Sequence, residues 1–213
     1  MDNLRKRHND VKRTLLKAYI SPRSTVLDVG CGRGGDFRKY HPNTSVYAID
    51  PSEEYTREAI SRNPPSNILV QPPGDVFSFT GKNLDAVVFN FSLQYTAPKL
   101  QETVAHVKSL LRPGGLFLGV MPLGEDIERK LPYKDSLGNT IVADIPGHIC
   151  VQLMGGPFYA GGPQVEPLLI GSRLIAELGD DFEVLEFDNI WPTVTGTITD
   201  LYVKFVFQKK SVI

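Results

Sequence analysis

The chain reads as an α/β protein: one seven-stranded, mostly parallel sheet with helices on both faces and its last strand antiparallel, a Rossmann-like arrangement. Three observations predict it. Short apolar, β-branched runs recur seven times along the 213 residues, with helical segments between several of them. The first run leads straight into a glycine-dense loop, Gly30-Cys31-Gly32-Arg33-Gly34-Gly35-Asp36, where α/β sheets gather ligands against bare backbone. The second run, Val46-Tyr47-Ala48-Ile49-Asp50, ends on an acid.

Taken in order, residues 3–19 carry Leu4, Val11, Leu15, Leu16 and Tyr19 at helical spacing until Ser21-Pro22 stops them, so a basic amphipathic helix over 1–22 precedes the sheet. Strands are expected at 25–29, 45–49, 67–71, 84–90, 116–121, 182–187 and 201–207. Helices are expected at 53–62, 99–111 and 167–178, and this alternation implies a largely parallel sheet wrapped on both faces. The last two strands, joined by a Pro/Gly/Thr connection, are expected to close the sheet as an antiparallel hairpin. Residues 122–166 break the rhythm, with Gly155-Gly156-Pro157 and Gly161-Gly162-Pro163 around Phe158-Tyr159. An aromatic-bearing insertion after the fifth strand is where a substrate is expected to be held. The whole of 1–213 is expected to form a single domain.

Composition narrows the function classes. With 41% hydrophobic residues and a net charge of −1, the chain has the apolar content for a full core. No apolar run approaches the roughly 20 residues of a membrane helix, and the start lacks the apolar centre of a secretory signal, so an intracellular protein away from membranes is expected. Two cysteines make no disulfide framework, no Cys/His cluster has zinc spacing, and Cys31 suits a tight loop. The net charge hides an asymmetry: Arg5, Lys6, Arg7, Lys12, Arg13, Lys17 and Arg23 crowd the first 23 residues against Asp2 and Asp10. Such a run suits a solvated helix face or a polyanionic substrate.

The spacing Gly30-x-Gly32-x-Gly34 is not the G-x-G-x-x-G of dinucleotide binders. It resembles the first signature of class I S-adenosylmethionine-dependent methyltransferases. In that setting Asp50 is expected to accept from the ribose hydroxyls, although Asp50-Pro51-Ser52-Glu53 also suits a helix cap. Asp75 and Val76, after the third strand, are expected at the adenine. The sequence Asn90-Phe91-Ser92-Leu93-Gln94-Tyr95 lacks the [DN]-P-P-[YF] element of exocyclic-amine methylation. A Pro-Cys nucleophile and a Lys-Asp-Lys-Glu set are not found either. The acceptor is therefore expected to need no deprotonation and no covalent activation.

Over almost its whole length the chain resembles the mRNA cap guanine-N(7) methyltransferases. His8-Asn9-x-x-Lys12-Arg13 resembles the family's asparagine-rich leading helix, and Gly30-Cys31-Gly32-Arg33-Gly34-Gly35-Asp36-x-x-Lys39-Tyr40 resembles its narrow form of the glycine loop. Phe89-Asn90-Phe91-Ser92-Leu93-Gln94-Tyr95, Val165-Glu166-x-Leu168-Leu169 and Leu201-Tyr202-Val203-Lys204-Phe205 match three further elements. The resemblance implies S-adenosylmethionine as methyl donor, S-adenosylhomocysteine as product and no metal. It implies a donor site of Lys12, Gly30, Cys31, Gly32, Asp50, Asp75, Val76, Asn90, Phe91 and Tyr95. His8, Asn9, Arg33, Lys39, Gln94, Tyr95, Glu166 and Tyr202 are implied at the cap and RNA.

Two positions depart from the family: its glutamine is Asn90 here and its histidine is Gln94, whose amide is expected to donate to a guanine oxygen. Guanine N7 carries a free lone pair, so catalysis is expected to be positional, by Glu166 and Tyr95, with no side-chain acid or base. The implied partner is 5′-capped RNA, with triphosphatase and guanylyltransferase as separate subunits, in the nucleus or cytoplasm, and in the cytoplasm for a viral enzyme. Two other readings stay open: a small-molecule or other RNA methyltransferase of the same fold, and a non-catalytic RNA-binding or activator subunit.

Overall fold

A computed structural model describes residues 2–154, 162–191 and 193–211. The triplet Gly155-Gly156-Pro157, Phe158-Tyr159 and Gly161 lie outside the described residues. Five strands run parallel: β1 (Thr25–Val29), β2 (Ser45–Ile49), β3 (Ile68–Val70), β4 (Leu84–Asn90) and β5 (Leu111–Pro122). The chain then makes an excursion through β6 (Tyr133–Lys134), β7 (Thr140–Ala143), β8 (His148–Gln152) and β9 (Gln164–Pro167), and returns with β10 (Phe182–Asn189) and β11 (Tyr202–Lys209). The main sheet has the order β10-β11-β5-β4-β1-β2-β3, with β11 antiparallel to both neighbours. All seven expected strands are therefore present, and the final pair is the antiparallel closure the sequence predicts.

The central strands bury both faces, so they read as continuous apolar runs. Val26, Ala86 and Val88 face one cluster, while Leu27, Val87 and Phe89 face the other. On the first face α1 (Asp2–Tyr19) lays down Val11, Leu15 and Leu16, and α2 (Glu53–Ser61) adds Ala59. On the second, α3 (Leu100–Leu110) contributes Val104, Val107 and Leu110, and α5 (Gly171–Leu178) contributes Leu174 and Leu178.

Two expectations are corrected. The helix expected at 167–178 begins only at Gly171, because Glu166 and Pro167 pair with Ile149 and His148 and hold the chain extended. The Glu125 carboxylate accepts from the backbone N–H groups of Gly171 and Ser172, at 2.8 and 2.7 Å, and so fixes that start. Strand β5 begins at Leu111 rather than 116, across a register shift opposite Leu84–Ala86. The region 122–166 also has structure of its own: α4 (Gly124–Lys130) followed by a four-stranded antiparallel sheet, β6-β7-β8-β9. Ile141, Ile149 and Val151 pack this sheet onto the first core cluster. A backbone bond from Gly124 N to Leu169 O, 2.9 Å, closes the neck of the excursion.

Candidate active site

The glycine loop and the turn after β4 are built as one piece. Gly30 sits at φ +73°, and a Cβ placed on it would lie 2.3 Å from the Ser92 Cβ, so only glycine fits. Ser92 Oγ donates to the Val29 carbonyl at 2.5 Å. Phe91 occupies the left-handed region at φ +61°, and its N–H donates to the Val120 carbonyl at 2.7 Å. A non-glycine residue held there stores strain that the surroundings must enforce, a common trait of functional turns.

Asp50 is buried at the end of β2. Its carboxylate accepts from Gly32 N–H at 2.8 Å and from Ser52 N–H at 2.9 Å, which pins the glycine loop to the second strand. The helix cap of α2 is Ser52, which accepts from Tyr55 N–H, rather than Asp50. Asp75 stands on the turn after β3, where Gly74 N–H donates to the Asp50 carbonyl, and its own carboxylate accepts from Phe77 N–H. Val76 beside it is buried.

Beneath the loop lies a buried charge network centred on Asp36. Its Oδ1 meets Lys12 Nζ at 2.7 Å and Lys39 Nζ at 2.5 Å, and its Oδ2 accepts from Asn90 Nδ2 at 3.2 Å. Burial works to raise the Asp36 pKa, but the two ammonium groups outweigh it and hold the carboxyl below its usual range. Asp28, on β1, is pushed up to about 7 by burial and by Asp36, against the Tyr40 hydroxyl and the two lysines. Lys39 is expected at the cap phosphates, yet its ammonium is buried against Asp36 and the Gly35 carbonyl, so it braces the loop instead. Arg33 likewise engages Glu58 at 2.5 Å and lies over the Tyr55 ring on α2.

Across the turn after β4, Glu166 arrives on β9 and is buried. Gln94 Nε2 donates to the Phe91 carbonyl at 3.1 Å and to Glu166 Oε2 at 3.4 Å. Both amide hydrogens are thus engaged, and the expected donation from Gln94 to a guanine oxygen is replaced by a role in holding Glu166. The Tyr95 hydroxyl also bonds Glu166, and although the residue is half exposed, desolvation of that hydroxyl together with the carboxylate raises its pKa, so the phenol stays protonated. His8 lies 5.1 Å from Phe91 and 5.2 Å from Tyr202, ring centre to ring centre, and Tyr202 is buried in this cluster. Lys12 Nζ stands 5.6 Å over the Phe91 ring, and Asn9 is half-buried on the same helix.

The structure therefore gathers Lys12, Gly30, Cys31, Gly32, Asp50, Asn90 and Phe91 around the loop, and Gln94, Tyr95 and Glu166 beyond it. Three contributors were not singled out as site residues from sequence: Asp36, Ser92 and Asp28. The acid closing the glycine loop is a signal for Asp36, whereas Ser92 acts through a strand pairing that no local pattern encodes.

By strand order and loop geometry, this is the class I methyltransferase fold. A crystal structure of an S-adenosylmethionine-dependent methyltransferase from Clostridium acetobutylicum ATCC 824 superposes with a TM-score of 0.70 at 15% identity, over 97% of this chain and 92% of that one. The family described as a methyltransferase domain matches residues 26–115. Within this class, the likeness of the sequence is to the mRNA cap guanine-N(7) methyltransferases. The enzyme of that name from Eremothecium gossypii is 34% identical over 151 residues, and cap methyltransferase 1 of Oryza sativa subsp. japonica is 28% identical over 159. These matches cover 60% and 63% of this chain, which spans 34% and 42% of the relatives' own lengths. Among the described residues, no helix is long and apolar enough to cross a membrane.

Proposed function

We propose that the chain transfers a methyl group from S-adenosylmethionine to N7 of the guanine cap of mRNA. The observation that carries this reading is the meeting of Gln94, Tyr95 and Glu166, brought together from the turn after β4 and from β9 beside the glycine loop. The residues present fit the donor. Beyond the adjoining residues of the loop, nothing lies within 4 Å of where a Cβ on Gly32 or Gly35 would stand, which leaves open space against bare backbone. Lys12 offers a cation for a carboxylate, and each Asp50 oxygen keeps a lone pair for a ribose hydroxyl.

When bound, S-adenosylmethionine supplies an electrophilic sulfonium methyl. The chain's own residues orient and exclude. Glu166 accepts from the guanine N1–H and amino hydrogens, which selects guanine over adenine and leaves N7 free. Gln94 and Tyr95 hold that carboxylate in place. Phe91, fixed at positive φ, sets the floor between the two halves. N7 needs no base, so the catalytic gain is alignment, a source that can reach roughly 7–11 kcal/mol. Capped RNA is then the substrate, with separate triphosphatase and guanylyltransferase subunits as partners.

Labelled methyl transfer to GpppG-capped RNA, with uncapped and already methylated RNA as controls and nuclease digestion to locate the label, tests this reading. Label confined to the unmethylated cap guanine is expected. Absence of transfer with intact donor binding would reject the cap as acceptor.

A further inference from the structure

We propose that the outward flank of α1 is a track for the RNA that follows the cap. This rests on the cap reading and extends it to the body of the substrate. At 3.6 residues per turn, Lys6, Arg13 and Lys17 fall within roughly 40° of one another, on the side of the helix away from His8, Val11 and Leu15. Lys6 and Lys17 are exposed, and Arg13 is half exposed. The stripe runs about 16 Å along the axis at 1.5 Å per residue. Arg38 widens it: this residue is exposed on the turn Phe37–Lys39, which packs against α1.

Pairing separates this flank from the rest of the site. Lys12 and Lys39 share Asp36, Arg33 is held by Glu58, and Arg62 by the same glutamate. Among the described residues, Lys6, Lys17 and Arg38 have no carboxylate within ion-pair distance; the one pair on this flank is Arg13 with Asp10, which falls beside Lys17 and is bonded to Arg13 at 2.8 Å. Elsewhere around the helix, Arg7 lies 5.3 Å over the Trp191 ring, and Tyr19 lies near Glu186, Lys204 and Asp188. Asn9 falls between the site face and the basic stripe, so an RNA chain leaving the cap would meet the stripe next. Among the described residues, Lys6, Lys17 and Arg38 lie over no aromatic ring, so this flank suits phosphates rather than bases and binding there is independent of sequence.

The test is fluorescence anisotropy of the full chain with an uncapped single-stranded RNA of about twelve nucleotides across a salt series. Replacing three cations in Lys6→Gln/Lys17→Gln/Arg38→Gln should reduce the log–log salt slope by about 2. Affinity at low salt should fall at least about tenfold, with methylation of the GpppG dinucleotide unchanged. The control Lys99→Gln/Lys130→Gln/Arg173→Gln, exposed cations elsewhere, should leave the slope intact. An unchanged slope in the first variant, an equal loss in the control, or a loss of binding to phosphatidylserine vesicles in place of RNA would overturn the track. The readout does not require methyl transfer: inert GpppG with the slope change present rejects the cap reading alone, and an unchanged slope with active GpppG rejects the track alone.

Discussion

Replacing Asp36 by asparagine removes the charge that two lysines share. The Lys39 residue is 8% exposed, and in the variant its ammonium retains only the Gly35 carbonyl and a neutral amide. Breaking a buried pair by removing one partner costs about 3–5 kcal/mol. The Lys12 side chain keeps 15% exposure and can turn toward water, and an amide oxygen can still accept one bond, so about 3 kcal/mol is expected. Urea unfolding at neutral pH measures it. Lys39→Met in the Asp36→Asn background should recover part of the loss, because it removes the stranded charge. The sign with pH is fixed: the Asp36 pKa is depressed in the folded state, so its contribution is present above the unfolded carboxyl pKa and is lost as pH falls through the folded value. The gap between wild type and variant should therefore close in acid. A loss under about 1 kcal/mol, or a gap that persists at low pH, would refute the assignment of Asp36 as the charge that holds the loop.

Four further outcomes are expected. Gly30→Ala forces a side chain into Ser92 at positive φ and should cost about 2–5 kcal/mol of unfolding free energy, the sum of backbone strain and overpacking. Glu166→Ala should lower kcat/KM for the cap by at least about 10²-fold while calorimetry shows donor binding nearly intact; equal loss of both would make the residue structural. In unfolding measured against pH, Asp28→Asn should gain on wild type as pH rises from about 4 to about 7, because the raised folded pKa of Asp28 stabilises only while the group stays protonated. Burial and Lys12 lower the His8 pKa to about 4, so His8 supplies the opposite slope between about 4 and 6.5, and His8→Gln should abolish it.

Much of the fold was legible because the central strands bury both faces and so appear as apolar runs bounded by glycine, proline and acid. The parallel sheet covered on both faces followed from the alternation of strands and helices, whereas the strand order emerges only from the pairing itself. What the sequence did not show was long-range pairing. Glu166-Pro167 looked like the approach to a helix, and only its ladder with Ile149 and His148 makes it a strand. Lys39 and Arg33 looked like phosphate ligands because charge counts do not reveal that Asp36 and Glu58 already hold them. Gln94 carried the donors expected of it, but their direction depends on Phe91 at positive φ, which no residue pattern announces.

The closed neck at Gly124 and Leu169 gives the molecule an inheritance of its own. The segment between those residues leaves and rejoins the body side by side, at a neck closed by a backbone hydrogen bond of 2.9 Å, and it carries Glu166 with it. A change of length within that segment can leave the β1 loop and the acid of β2 in place, so long as Ile141, Ile149 and Val151 still pack on the first core cluster. On the proposed reading, the acceptor residue and the donor loop sit on separate stretches of chain, and a chimera that swaps 126–168, keeping Glu125 as the brace of Gly171 and Ser172, is the natural unit in which to move one without the other.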